Sequence, residues 1–233
     1  MMEYLAKFLP YMLQSTVMTL KIFVLTLAIA LPLGLPIALG SNCRIRPLAW
    51  LCRLYVLIFR GTPLMLQLLV VYFGPFFIFG MQITPSYRLK AVLIGFALNY
   101  AAYFAEIYRS GIAAIPVGQY EAARLLGYSK TQTFVHIVMP QVIKRIIPPV
   151  ANETITLVKD TSLAFTLAVA EVFTVTKQLV ASQSSVVPFI VAGIFKYHRI
   201  RKSFYKQIDH YICLNENQIR LLTEIGFDKK KIT

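Results

Sequence analysis

The sequence predicts an all-α, polytopic membrane protein, and three observations predict it. Of 233 residues, 57% are hydrophobic and 15% are charged, with mean hydropathy +0.63; a soluble domain carries about a quarter charged residues. Long windows hold no charge, and from Ile22 to Cys43 there is none. Lys and Arg gather in alternate loops, as they do in cytoplasmic segments of membrane proteins. The formal charge of +14 is therefore read as topology rather than as a nucleic-acid footprint. The length has room for roughly five spans of about 20 residues. Cys43, Cys52 and Cys213 show no paired spacing, so neither a disulfide framework nor a zinc site is expected.

Ile22 to Cys43 predicts the first span. Pro32 and Pro36 fit within it because neighbouring helices can satisfy the carbonyls they free. Met2 to Lys21 is mildly amphipathic and is expected to lie along the interface. No small-x-small cleavage pattern follows the apolar run, so the segment does not read as a signal peptide. The second window, Gly61 to Tyr87, follows Arg60-Gly61-Thr62-Pro63, where Gly and Pro are expected to break a helix that begins near Leu54. A third span is expected over Lys90 to Tyr108 and a fourth centred on Thr161 to Val175. Val186 to Phe195 offers ten apolar residues before Lys196, too few for a fifth crossing.

Basic residues orient the chain. The loop after the first span carries Arg44, Arg46 and Arg53, and the loop after the third carries Arg109, Arg124, Lys130, Lys144 and Arg145. The alternate loops hold Arg88 with Lys90, and Lys177. This excess predicts the first and third loops inside, the N-terminus outside and the C-terminus cytoplasmic if the fifth span forms.

The third loop contains a charged helix-turn-helix, Gly118 to Gln141. A first helix is expected from Gln119 to about Leu126, closed by Gly127 with positive φ. Ser129 is placed to N-cap the next helix, and Pro140 is expected to limit it. The small pair Ala122-Ala123 allows close approach by another surface, to which Glu121 offers a charge. A DNA-binding helix-turn-helix has a similar glycine turn, but a polytopic chain has no use for one. His136, alone on the second helix, reads as a surface or packing residue.

Within the membrane, Asn99, Tyr103 and Glu106 fall at i, i+4 and i+7 on one helical face, and Glu153 and Asp160 are seven apart. Ionisable residues at this depth are functional candidates, and two carboxylates favour a substrate bearing positive charge. The plain alternative is that Lys159 neutralises Asp160 and that Glu153 lies in water at the cytoplasmic end. Arg60, Gly61, Thr62 and Pro63 read either as a gate or hinge or as an ordinary helix start.

Four stretches resemble the permease subunits of polar amino acid (histidine/glutamine/arginine-type) ABC importers. They are RGTPLMLQLLVVYFG (60–74), LNYAAYFAEIYRSGI (98–112), GQYEAARLLGYSKTQTFVHIVMPQ (118–141) and NETITLVKDTSL (152–163). They occur in the family's order and cover about residues 10–195. The resemblance implies a type I ABC importer permease fold. It makes residues 118–141 the EAA loop, with Gly118, Gln119, Glu121, Ala122, Ala123, Gly127 and Pro140 coupling to an ATPase. The substrate path would then draw on Asn99, Tyr103, Glu106, Glu153 and Asp160. No G-x-x-x-x-G-K-[ST] phosphate loop is present, so the chain is expected to bind no cofactor. ATP and Mg²⁺ are expected on a partner ATPase dimer. A second permease half, identical or homologous, and an extracytoplasmic amino acid-binding protein complete the implied assembly, with an amino acid as substrate and no nucleic acid.

The transmembrane domain is thus expected over residues 1–195, and residues 196–233 depart from the pattern. That tail holds nine Lys/Arg and four Asp/Glu without a long apolar period, save for a short helix expected over 213–226. Its abrupt start points to a shifted reading frame rather than an appended domain; a basic tail held near anionic lipid is the other reading. A secondary carrier or channel, a membrane scaffold, or a truncated permease without function are the alternatives in class.

Overall fold

The computed structural model describes residues 2–183, with 188, 189 and 192. The short fifth span, the 196–233 tail and its 213–226 helix lie, apart from those isolated positions, outside the described residues. Contacts divide the chain into two compact units, Met1–Val175 and Thr176–Thr233. The first unit holds nearly all of the described residues. The second contributes mainly the end of a helix that begins in the first and runs to Gln183.

The described residues are helical, with no strand among them. Helix α1 spans Met2–Ser41 and passes uninterrupted through Pro10, Pro32 and Pro36. The expected interfacial segment is therefore the first part of one long helix, because the apolar run extends back to Pro10 and keeps Met12 and Ile22 buried. Helix α2 spans Arg46–Gly61 and α3 spans Leu64–Phe79. Their break falls at Gly61–Pro63 as expected, but α2 begins at Arg46 rather than near Leu54, with Pro47 favouring its first turn. Helix α4 spans Tyr87–Ala113. α1 from Pro10 and α4 are long and apolar enough to cross a membrane alone; α2 with α3, and 130–167 with 172–182, meet that test only as broken pairs.

Helix α5 spans Val117–Leu125. A turn leads to the three-residue α6 (Lys130–Gln132), which opens into a π-helical stretch, Thr133–Val138. Helix α7 follows over Met139–Asp160. Pro140 thus does not end the second helix of the hairpin. It stands at the start of α7, where its missing N–H is tolerated, and the wider π turns carry the chain to it without a stop. The fourth span is not continuous either. A 3₁₀ stretch, Thr161–Leu167, ends at Ala168 with φ 52°, and α8 (Val172–Gln183) starts afresh.

The core lies between α1 and α4, which make the most extensive contact among the described helices. Phe96, Tyr100 and Phe104 recur every four residues along α4, are almost fully buried, and continue toward Tyr108 as a ladder of rings 6.3–6.5 Å apart. Opposite them α1 presents Ala30, Gly34 and Ala38 in the same register, so the backbones approach closely. A Cβ at Gly34 would lie 3.0 Å from the Ala105 nitrogen and the Phe104 Cβ. Tyr108 donates to the Leu31 carbonyl at 3.2 Å and adds a polar tie between α4 and α1.

Gly34→Leu should therefore lower stability by about 1–3 kcal/mol, since the atoms it meets are backbone of Ala101 and Ala105 and the Phe104 Cβ fixed to it, none of which can yield. Thermal unfolding of the detergent-solubilised protein is expected to start earlier. Leu13→Met, at an exposed position of the same helix, should be silent.

Candidate functional site

The break between α2 and α3 organises the site. The two helix axes differ by 110°. Pro63 has no N–H, so the Phe59 carbonyl four residues earlier loses its helical donor. Two buried amides replace it. Gln67 Nε2 donates to Phe59 O at 2.9 Å, and Asn99 Nδ2 donates to the same oxygen at 3.1 Å. Gln67 also reaches Thr62 O at 3.0 Å and Thr62 Oγ1 at 2.8 Å, while Asn99 donates to Gln67 Oε1 at 2.9 Å. Asn99 is thus turned toward the break. Tyr55 fastens α2 to α4 by donating to Leu98 O at 2.5 Å.

Beside the break is an open cavity of about 730 Å³, lined by α2, α4 and Ser41. Arg53, Arg60, Tyr103, Glu106 and Arg109 line it. Arg109 grips Glu106 with both Nε (2.8 Å) and Nη2 (2.5 Å), a charge-assisted fork. Arg60 lies 4.0 Å from Glu106 and 5.2 Å from the centre of the Tyr103 ring. Arg53 donates from Nε to the Ser41 carbonyl at 3.0 Å, which closes the end of α1. Tyr103 and Glu106 therefore share the cavity as their spacing suggests, joined by Arg60 from the Arg60–Pro63 group.

The carboxylates of α7 are reached from this cavity through the tyrosines of α4. Tyr100 donates to Asp160 Oδ2 at 2.7 Å, and the Tyr100 and Tyr103 rings are 6.1 Å apart. Glu153 is half-buried and within electrostatic range of both Arg60 and Asp160. Tyr100 and Gln67 are absent from the site that the sequence predicts. Gln67 was findable as an amide four residues after a proline in an apolar window. Glu171 was findable too, as the lone carboxylate of the expected fourth span. It is fully buried and caps α8, accepting from Phe173 N at 2.8 Å and Thr174 N at 2.7 Å.

The 118–141 segment forms a projecting hairpin. Gly127 has φ 78°, the left-handed value expected for it, and its N–H bonds the Arg124 carbonyl at 3.0 Å. Ser129 caps the next helix in a reciprocal box with Gln132. Gly118, Gln119, Glu121 and Ala122 are exposed. Ala123 is not: it is 1% exposed and packs inward, so the small pair offers one methyl group to the outside. Leu125 and Leu126 are bared to solvent at 90% and 74%. Arg145 bonds the Ala114 carbonyl, and Ile115, Val138 and Val142 form a small core under the hairpin.

Broken helices beside a charged cavity, inside a helical unit apolar enough for the bilayer, define a membrane permease. The chain belongs to the family of binding-protein-dependent transport system inner membrane components, whose profile matches residues 30–197. It is 37% identical over 190 residues to the arginine transport system permease protein ArtQ of Bacillus subtilis (strain 168), covering 81% of this chain and 85% of that one. It is 38% identical over 166 residues to the putative glutamine transport system permease protein GlnP of Rickettsia bellii (strain RML369-C), covering 70% and 75%. The solved structure of an amino acid ABC transporter with histidines superposes with TM-score 0.77 at 32% identity, over 85% of this chain and 92% of that one. An inward-facing MetNI methionine ABC transporter superposes with TM-score 0.60 at 19% identity, over 87% and 94%, which shows the shared fold. The chain is thus an all-α amino acid ABC transporter permease subunit.

Asn99→Leu should cost about 1–3 kcal/mol, because it leaves the Gln67 amide oxygen buried without its donor. Paired with Gln67→Leu, the loss should be smaller than the sum of the two single losses; thermal unfolding of the wild type, the two single variants and the double variant in detergent measures that coupling.

Proposed function

We propose that this chain forms half of the translocation path of an ATP-driven importer of polar amino acids, and that residues 118–141 couple it to a separate ATPase. The observation that carries this reading is the hairpin. An exposed nine-residue helix bearing Glu121, Arg124 and Leu125, with Leu126 just beyond it, is held by a glycine turn and a capping box, away from the apolar bundle. A hydrophobic patch flanked by charges suits a groove on a soluble partner. Positive-inside counting favours the cytoplasm for it, where ATP is.

ATP and Mg²⁺ belong to the partner dimer in this reading. A second permease half completes the path, and an extracytoplasmic binding protein delivers the amino acid. Glu153 and Asp160 favour the cationic part of that substrate, in keeping with relatives described as arginine, glutamine and L-cystine transport permeases. Arg60-Gly61-Thr62-Pro63 serves as hinge, and ATP-driven closure of the partner shifts the population between inward- and outward-facing states.

Co-purification with the ATPase and ATP-dependent uptake of a labelled amino acid in proteoliposomes test the proposal. Gly127→Pro, which forbids φ 78°, and Glu121→Lys should each abolish pairing and uptake while the protein still inserts. Uptake that persists without any ATPase would instead identify a secondary carrier or channel.

A further inference from the structure

Arg60 is a cation with its hydrogen-bonding capacity unspent. At 4.0 Å its approach to Glu106 is beyond hydrogen-bond distance, and both Glu106 oxygens already accept from Arg109. Among the described residues, Arg60 meets Glu106 in that longer ion pair and the Tyr103 ring. The guanidinium is about two-fifths exposed and lines the cavity of about 730 Å³, ample room for an amino acid.

From Arg60 a chain of aromatic contacts leads along α4 into the core. The Tyr103 ring lies under Arg60, the Tyr100 ring is 6.1 Å further, and the Tyr100 hydroxyl holds Asp160. Glu153 is within electrostatic range of Arg60 and Asp160. The Arg60 guanidinium in the cavity is therefore linked through two tyrosine rings to a carboxylate of α7. Every α-amino acid carries the complementary pair, a carboxylate and an ammonium. Carboxylates alone would repel one end of such a zwitterion.

We propose that Arg60 anchors the α-carboxylate of the transported amino acid, while the region of Glu153 and Asp160 receives its cationic part. The guanidinium fork matches a carboxylate with two parallel hydrogen bonds, which an ammonium does not. Arg60 is also the residue before Gly61, so an anion bound there pulls directly on the α2–α3 break. The inference rests on the amino acid permease reading above and adds to it the residue that distinguishes an amino acid from an amine.

The test is equilibrium binding to the purified permease–ATPase complex, without binding protein, so that only the membrane site is measured. L-arginine, L-histidine, L-glutamine and L-cystine are each compared with the derivative whose carboxylate is converted to a carboxamide. The wild type should favour the acid. Arg60→Gln should reduce that acid-to-amide ratio by about tenfold or more, the loss expected for a charge-assisted pair. Arg60→Lys, which keeps the charge and loses the fork, should fall between them and serves if Arg60→Gln does not assemble. A purely structural arginine would weaken acid and amide alike and leave the ratio unchanged, which would overturn the proposal while leaving the permease reading intact. Wild-type binding of none of the four would remove the amino acid reading itself.

Discussion

The carbonyl of Phe59 is the constraint on which the site depends. Pro63 deprives it of its helical donor, and a carbonyl left without one in a packed interior is costly. Gln67 and Asn99 supply that donor from two different helices, and in doing so fix α2, α3 and α4 to one another at the bend. The position of Arg60 follows from this, since it lies between the satisfied carbonyl and the broken turn. So does the cavity, because a straight helix through residues 46–79 would not swing α2 across α4. A break that would otherwise cost several kcal/mol of unsatisfied backbone, roughly 2–7 by transfer measurements, becomes the point where a charged side chain is presented.

The second break follows the same logic with different chemistry. After Asp160 the chain tightens into a 3₁₀ turn, takes a left-handed residue at Ala168 and restarts as α8. The first amides of α8 have no helical acceptors, and the Glu171 carboxylate accepts two of them, while Val172 N–H is taken by Thr19 of α1 at 3.2 Å. A buried carboxylate is expensive unless its charge is met by hydrogen bonds. Here that demand and the demand of an open helix end offset each other.

Legibility in the sequence followed how local the cause of each feature is. Charge-free windows made α1 and α4 visible, and Gly61 with Pro63 made the first break visible, because bilayer thickness and proline geometry act on the nearby sequence. Gly127 and Ser129 were legible for the same reason. The second break was not: no Gly or Pro lies in 161–171, and what interrupts the helix is a cap by Glu171 and a contact with Thr19, 153 residues away in sequence from Val172. The inward turn of Asn99 was equally hidden, since helical spacing says which residues share a face but not which neighbour that face meets. Pro140 misled because a π-helical stretch, itself without a clear sequence signal, absorbed the proline at the start of a helix.

The hairpin and the cavity meet on α4. At its C-terminal end, Gly111 packs so closely on α7 that a Cβ there would collide with the Ile146 side chain, and Arg145 ties the Ala114 carbonyl to α7. Beyond that junction Ile115, Val138 and Val142 seat the hairpin. A turn or so back along the same helix, Glu106 and Arg109 form the fork, and one turn further Tyr103 lies under Arg60. Residues 118–141 are therefore seated by packed contacts on the helix that carries both the cavity wall and the Asn99 end of the clamp. Packed interiors shift between discrete arrangements rather than deform smoothly. The weakest joint along this line is the 4.0 Å pair between Arg60 and Glu106, which has no hydrogen bond to hold it and stands next to the break. A transition driven from the hairpin would open there first, at a cation able to exchange a protein carboxylate for that of a substrate.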